Sequence, residues 1–296
     1  MRSSWLRLFF PICVWLAIAW IWSGTLQREI AAPDDGWYLG DTANFVVAWH
    51  VFGVSHPPGY PLLNLLANGL VRLFAGFGAA PVLAASLVSY VSSLVALLIF
   101  AALLLNATPA KHRTIGQGWV AGLSLLMLAF MHMTWLFASA AEAYGFGLCL
   151  AWWVWWLAVR VRQMPSARRV WLLAFGVGLA FGHHRTVALL LPAVLYLIWP
   201  AYRQLRWHVW PLAMVFFALS SVVYLYVPLA LAFDSPFVYG ALPLNTRDGF
   251  LNLLLAQDRL SELPSEAFTG LQFVPDLFGD RVLGLALELT WPGLAV

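Results

Sequence analysis

The sequence predicts an all-α polytopic membrane protein: a bundle of about 7–8 transmembrane helices, with a large first extracytoplasmic loop that carries an amphipathic interfacial helix. Three observations predict it. Hydrophobic residues make up 62% of the 296 and charged residues only 10%, against about 25% charged in soluble domains. The apolar runs are long and continuous, whereas barrel strands alternate over about ten residues. Basic residues cluster between alternate runs, as expected of cytoplasmic loops. The net charge of +3 therefore reports topology, and no nucleic-acid partner is expected. Cys13 and Cys149 both lie inside apolar runs, which speaks against a disulfide framework.

The first span is expected over 5–26, with Arg2 and Arg7 at its start placing the N-terminus in the cytoplasm. Its apolar core is too long for a signal peptide and no small-residue cleavage site follows it, so it reads as an uncleaved span. The first outer loop then runs from 27 to 81. Within it Asn64, Asn68 and Arg72 recur every four residues on one face of the apolar segment 62–77, which predicts a helix lying in the interface. A second span, 82–105, leads to Lys111, His112 and Arg113. A third, 119–139, returns to a very short outer turn with Glu142 and Tyr144, and a fourth, 145–161, goes back to Arg160, Arg162, Arg168 and Arg169.

The stretch 170–199 is basic at both ends, beside Arg168 and Arg169 and beside Arg203 and Arg206, so it must leave and return to the same side. Its centre, Gly182-His183-His184-Arg185-Thr186, is too polar for a lipid-facing helix. Two short helices meeting in a turn at or below the outer surface are expected there. A last outward span covers 208–233, a second outer loop 234–281, and a final apolar segment begins near Val282. The whole chain, 1–296, is expected to be one transmembrane domain truncated at its C-terminal end.

All 13 acidic residues fall on the expected outer side or in the final segment, so that side is where carboxylates are used. Asp34 and Asp35 sit in Pro33-Asp-Asp-Gly36, which reads as a solvated turn. Asp41 lies among apolar residues. It is either the N-cap of a helix over 43–51 or a general base. Glu142, at the mouth of two spans, is a functional candidate or a helix-terminus charge. His183 and His184 are adjacent and so point apart on a helix, and no second His/Cys set stands at ligand spacing, so no zinc site is expected. Arg185 is the only basic residue of its hairpin and suits bidentate grip of a phosphate. His56-Pro57-Pro58-Gly59-Tyr60-Pro61 cannot be an ordinary helix, since three prolines fix φ and remove donors. It clamps the acid-bearing loop against the apolar segment that begins after Pro61.

These residues resemble the GT-C class of integral-membrane glycosyltransferases, most closely the bacterial branch related to protein O-mannosyltransferases, glycosyltransferase family 117. The likeness rests on a lone acidic residue followed by HPPGYPLLNLLANGLVRLF, then Ala141-Glu142-Ala143-Tyr144, the run from Gly178 to His184, Val223-Tyr224-Leu225-Tyr226-Val227-Pro228-Leu229, and Asp248-Gly249-Phe250-Leu251. It covers about 38–260. The resemblance implies a GT-C-like bundle in a bacterial cytoplasmic membrane, with the active site outside. It implies a polyprenyl-phosphate sugar donor, mannose-type, and a protein or lipid-linked glycan acceptor, with inversion at the anomeric carbon. Asp41 would be the base and Glu142 the second catalytic carboxylate. His56, Tyr60, Tyr144, His184, Arg185 and Asn44 would bind substrate, with Arg185 or His184 facing the leaving phosphate. The resembled pattern, Asp-Ser-Gly-Glu-Phe, has a carboxylate three residues after the first, where this chain has Asn44. Asn cannot be a base, so Glu142 is the nearest replacement. These residues fix no cofactor, and the outer carboxylates permit a divalent cation without demanding one. A transporter or flippase for a polyprenyl-linked lipid, or an inactive binder of it, is the alternative; transporters of this kind usually carry internal repeats, and none is visible.

Overall fold

The computed structural model describes residues 2–30, 41–106, 114–241 and 243–255. The expected turn at Asp34 and Asp35, the basic loop at Lys111–Arg113 and the final apolar segment lie outside them. Apart from one bridge between Val54 and Val238, the described residues are helical or in turns.

Helix α1 covers Arg2–Ser23, α2 Thr42–His50, α3 Pro61–Gly76 and α4 Pro81–Asn106. Prolines open both α3 and α4, where the missing N–H is an orphan in any case. Helix α5, Ile115–Ala129, starts in a capping box in which Thr114 and Gln117 satisfy each other's backbone. It bends by 71° into α6, His132–Ser139. Helix α7 is Tyr144–Gln163 and α8 Ala167–His183. After His184 the chain resumes in a 3₁₀ turn, Arg185–Leu190, that runs into α9, Leu191–Gln204. The expected hairpin break thus falls within the polar run that predicted it. Helix α10, Val209–Leu219, continues through a 3₁₀ stretch into α11, Tyr226–Ala232, and α12 is Arg247–Leu255.

Among the described residues, Pro81–Asn106, Tyr144–Gln163, Arg185–Gln204 and Val209–Ala232 are long and apolar enough to cross a membrane, and a fifth span results if α5 and α6 are taken together. Among the described residues, Arg7–Ser23 within α1 and Pro61–Gly76 are shorter apolar helices, and α8 has 17 residues. The second arm of the hairpin, expected to be short, is a full-length segment.

Helices α1, α4, α5 and α6 share one core around Ile18, Trp22, Leu97 and Leu125. Helices α7 to α10 share another around Val154, Val161, Val170 and Val194. A third, smaller core binds α2 and α3 to α4 through Phe45, Trp49, Leu63 and Val88. That third core decides the site, because it fixes the first loop on the end of α4.

One expectation is reversed there. Helix α3 is amphipathic, but its asparagines face inward: Asn64 and Asn68 are buried, while Leu65, Leu66 and Leu73 are exposed. Asn64 Oδ1 accepts from Trp49 Nε1 and from Ser55 Oγ, both at 2.9 Å, and its Nδ2 donates to the Gly59 carbonyl at 2.8 Å. Asn68 Nδ2 donates to the Trp49 carbonyl at 2.7 Å. Irregular backbone needs such partners when it is buried. The polar face was therefore built for the loop, and the outer apolar face is the one suited to lipid.

Candidate active site

The Pro-rich run folds as a buried turn. Gly59 has φ +83°, a conformation that costs a residue with a Cβ, and a Cβ there would also press on Leu253. Tyr60 is left-handed as well, with φ 40°. Its ring is held by neighbours: centroids lie 5.3 Å from Phe45, 5.1 Å from His56 and 5.2 Å from His183. A left-handed non-glycine residue costs about 1–2 kcal/mol, which this packing offsets.

Asp41 occupies the N-cap position of α2, yet its side chain makes no capping bond. The carboxylate turns instead toward His56, with Oδ2 3.5 Å from Nε2, and is 41% exposed while His56 is buried. The capping alternative for Asp41 is thereby set aside. Asn44, one turn further along α2, accepts from the His56 backbone N–H at 3.4 Å. The residue that stands where a second carboxylate was expected thus ties the Pro-rich turn to the helix bearing Asp41.

Glu142 comes to the same place from the turn between α6 and α7. It is 2% exposed. Thr42 Oγ1 donates to its Oε1 at 3.1 Å. Ser89, in the N-terminal third of α4, receives the Glu142 backbone N–H at 2.9 Å and donates to its carbonyl at 2.8 Å. Burial first, and the nearby charge of Asp41 second, push the Glu142 carboxyl up to about 8, while the bonds from Thr42 and the Ala143 N–H act the other way. At neutral pH burial therefore favours the protonated form of Glu142.

The hairpin turn supplies the remaining groups. His184 Nδ1 accepts from the Thr186 N–H at 3.3 Å and contacts its hydroxyl at 2.8 Å. Burial, and then the charge of Arg185, hold its imidazole below the usual range. Arg185 donates to the Leu254 carbonyl and borders a groove of about 1080 Å³. The groove is lined by Pro58 of the Pro-rich turn, Phe181, Phe217, Leu225 and Phe250, with Tyr224 among its few polar groups. Exposed Leu219, Val222 and Leu225 flank it. Pro58 thus ties the groove to the Pro-rich turn, and the wall suits an apolar chain. Tyr144 stacks on Phe137 at 4.2 Å and stands 6.3 Å from His184.

The structure therefore brings Asp41, Asn44, His56, Tyr60 and Glu142 into one constellation, and His184 and Arg185 into the adjoining turn. Thr42 and Ser89 were not anticipated, and His183 was weighed only as a metal ligand. Ser89 belongs to a buried series, Ser86, Ser89 and Ser93, at helical spacing, which was the available signal. Among the described residues no group of three or more His, Cys, Asp or Glu is placed to hold a metal ion.

Fold and site define a helical membrane protein whose acidic and imidazole groups gather at one end of the bundle, against an apolar groove. The chain belongs to the family of the Protein O-mannosyl-transferase TMEM260 N-terminal domain, which matches residues 41–208, from Asp41 to just beyond α9. It is similar to Protein O-mannosyl-transferase TMEM260 of Mus musculus, 25% identical over 233 residues, covering 74% of this chain and 30% of the mouse protein. Protein O-mannosyl-transferase tmem260 of Dictyostelium discoideum is 24% identical over 199 residues, covering 62% of this chain and 23% of that protein. The chain thus spans less than a third of the length of these relatives. No solved structure matches.

Proposed function

We propose that this chain is the membrane domain of a glycosyltransferase that moves a mannose-type sugar from a polyprenyl-phosphate carrier to a hydroxyl on protein or on a lipid-linked glycan, at the extracytoplasmic face of a bacterial cytoplasmic membrane. The observation that carries the reading is the pairing of Asp41 with His56 at 3.5 Å together with a groove lined by Pro58 of the same loop and by Arg185. The names of the family and of its relatives supply the reaction type.

In this reading the Asp41 carboxylate takes the proton of the acceptor hydroxyl while His56 orients it. The acceptor oxygen bonds to the anomeric carbon from the face opposite the leaving group, which gives inversion. The bond from that carbon to the phosphate oxygen breaks, and the phosphate departs with the electron pair. Phosphate is a good leaving group, so a cation suffices and no strong acid is needed; Arg185 supplies the charge. Glu142 holds the Asp41 end of α2 through Thr42 and, being neutral, leaves Asp41 as the base. The polyprenyl tail lies along the apolar wall.

The test is transfer from labelled polyprenyl-phosphate mannose and polyprenyl-phosphate glucose in membranes containing the full-length protein. Asp41→Asn is expected to lower transfer by about 10²–10⁴-fold while carrier binding persists. Transfer that survives in Asp41→Asn removes Asp41 from the chemistry. Carrier binding with no transfer by the wild type turns the reading to a lipid binder or transporter.

A further inference from the structure

Three separate pieces of chain must keep their places for the proposed site to work: the Pro-rich turn, the Glu142 turn and the Arg185 turn. His183 touches the first two and immediately precedes the third. It is the last residue of α8 and is 2% exposed. Its Nε2 lies 3.0 Å from the Ala143 carbonyl, and a carbonyl only accepts, so this nitrogen carries the proton. Ala143 is the N-cap of α7, next to Glu142, and its carbonyl also receives the first helical bond, from the Gly147 N–H at 3.0 Å. The imidazole ring meets Tyr60 and Phe146 edge-on, each at 5.2 Å. On the other side of the turn, the Tyr224 hydroxyl donates to the Gly182 carbonyl at 2.9 Å. The turn is thus pinned at two successive residues.

Packing by itself does not account for an imidazole here. Its Nδ1 is buried without a hydrogen-bond partner, a cost that a phenylalanine in the same slot would avoid. The bond that compensates is the one to Ala143. We propose that His183 is a positioning residue: through its Nε2–H bond to Ala143 and its edge contact with Tyr60, it sets the Glu142 turn and the Arg185 turn against the Asp41 loop. The inference rests on the glycosyltransferase reading for its kinetic consequence, but not for its structural one. Misplacement of reacting groups by about 1 Å costs on the order of 10²-fold in rate, so the effect belongs in kcat.

The variants are His183→Phe, which keeps the ring and loses the donor, His183→Gln, which keeps a donor, and Gly147→Ala. A Cβ on Gly147 would stand 3.2 Å from His183 Nε2, displacing the ring by a few tenths of an ångström while removing no polar group. Full-length protein in nanodiscs is assayed with polyprenyl-phosphate mannose, and hydrogen–deuterium exchange is followed over 140–147 and 183–186 in the same preparations. His183→Phe should lower kcat by about 10- to 100-fold with the donor KM changed by less than about twofold. Gln should recover most of that loss, and Gly147→Ala should fall between. Exchange should rise together in both segments in His183→Phe and Gly147→Ala, and less in His183→Gln. Wild-type kcat in His183→Phe, or a Gln variant as impaired as Phe, overturns the proposal. Should His183→Phe not fold, unchanged kcat and exchange in Gly147→Ala overturn it equally. A silent wild type with the expected exchange pattern removes the glycosyltransferase reading and leaves the positioning role standing.

Discussion

Thr42 Oγ1 donates a hydrogen bond to Glu142 Oε1 at 3.1 Å across 100 residues of sequence. The bond fastens the first turn of α2, and with it Asp41, to the turn between α6 and α7. The bond favours the ionised form of Glu142, but burial, the larger effect, raises its carboxyl despite it.

Glu142 therefore makes stability depend on pH. Its carboxyl is raised from 4.5 to about 8 in the folded protein, so above pH 4.5 the native state holds a proton that the unfolded chain releases. Stability from this group is complete below pH 4.5 and is lost progressively as pH rises toward about 8. The thermal midpoint of the wild type should fall across that window, and Glu142→Gln should flatten the dependence. A Gln variant with the wild-type slope would assign the effect to another group.

Asn64 is predicted to be a stability residue rather than a surface one. Asn64→Ala leaves the Trp49 indole N–H, the Ser55 hydroxyl and the Gly59 carbonyl without their partner. The expected cost is about 3 kcal/mol in a reversible unfolding measurement in detergent. A loss below about 1 kcal/mol would mean that water replaces Asn64 there and that the turn does not depend on it.

Arg185 bears on donor binding. Arg185→Gln should raise the donor KM by about tenfold, and Arg185→Lys should recover only part of it, because an ammonium keeps the charge but loses the planar fork. An effect on acceptor KM alone would place the phosphate elsewhere.

Much of the site was legible because rare residues stand out in an apolar chain. Asp41, His56, Glu142 and Arg185 are visible as polar interruptions; the first three lie together, while Arg185 stands on the groove that Pro58 also lines. The break at His184 was readable for the same reason, as a polar run has no place at mid-membrane. What could not be read was direction. Asn64 and Asn68 at four-residue spacing define a face, but spacing does not say whether that face meets water or a buried turn. Asp41 before a helix looks like a cap, and only the placement of His56 shows where the carboxylate goes. His183 and His184 were expected to point apart, but only the structure shows that one ring meets the Ala143 carbonyl and the other Thr186.

Composition and the position of charges determined, without coordinates, a helical membrane protein, because the cost of burying charge in lipid leaves few alternatives. Tertiary structure alone decided that the Glu142 carboxyl is raised, which asparagine face is buried and which partner each histidine of the hairpin takes. Those properties depend on desolvation and on hydrogen bonds between residues as far apart as Thr42 and Glu142, and neither is encoded in local sequence.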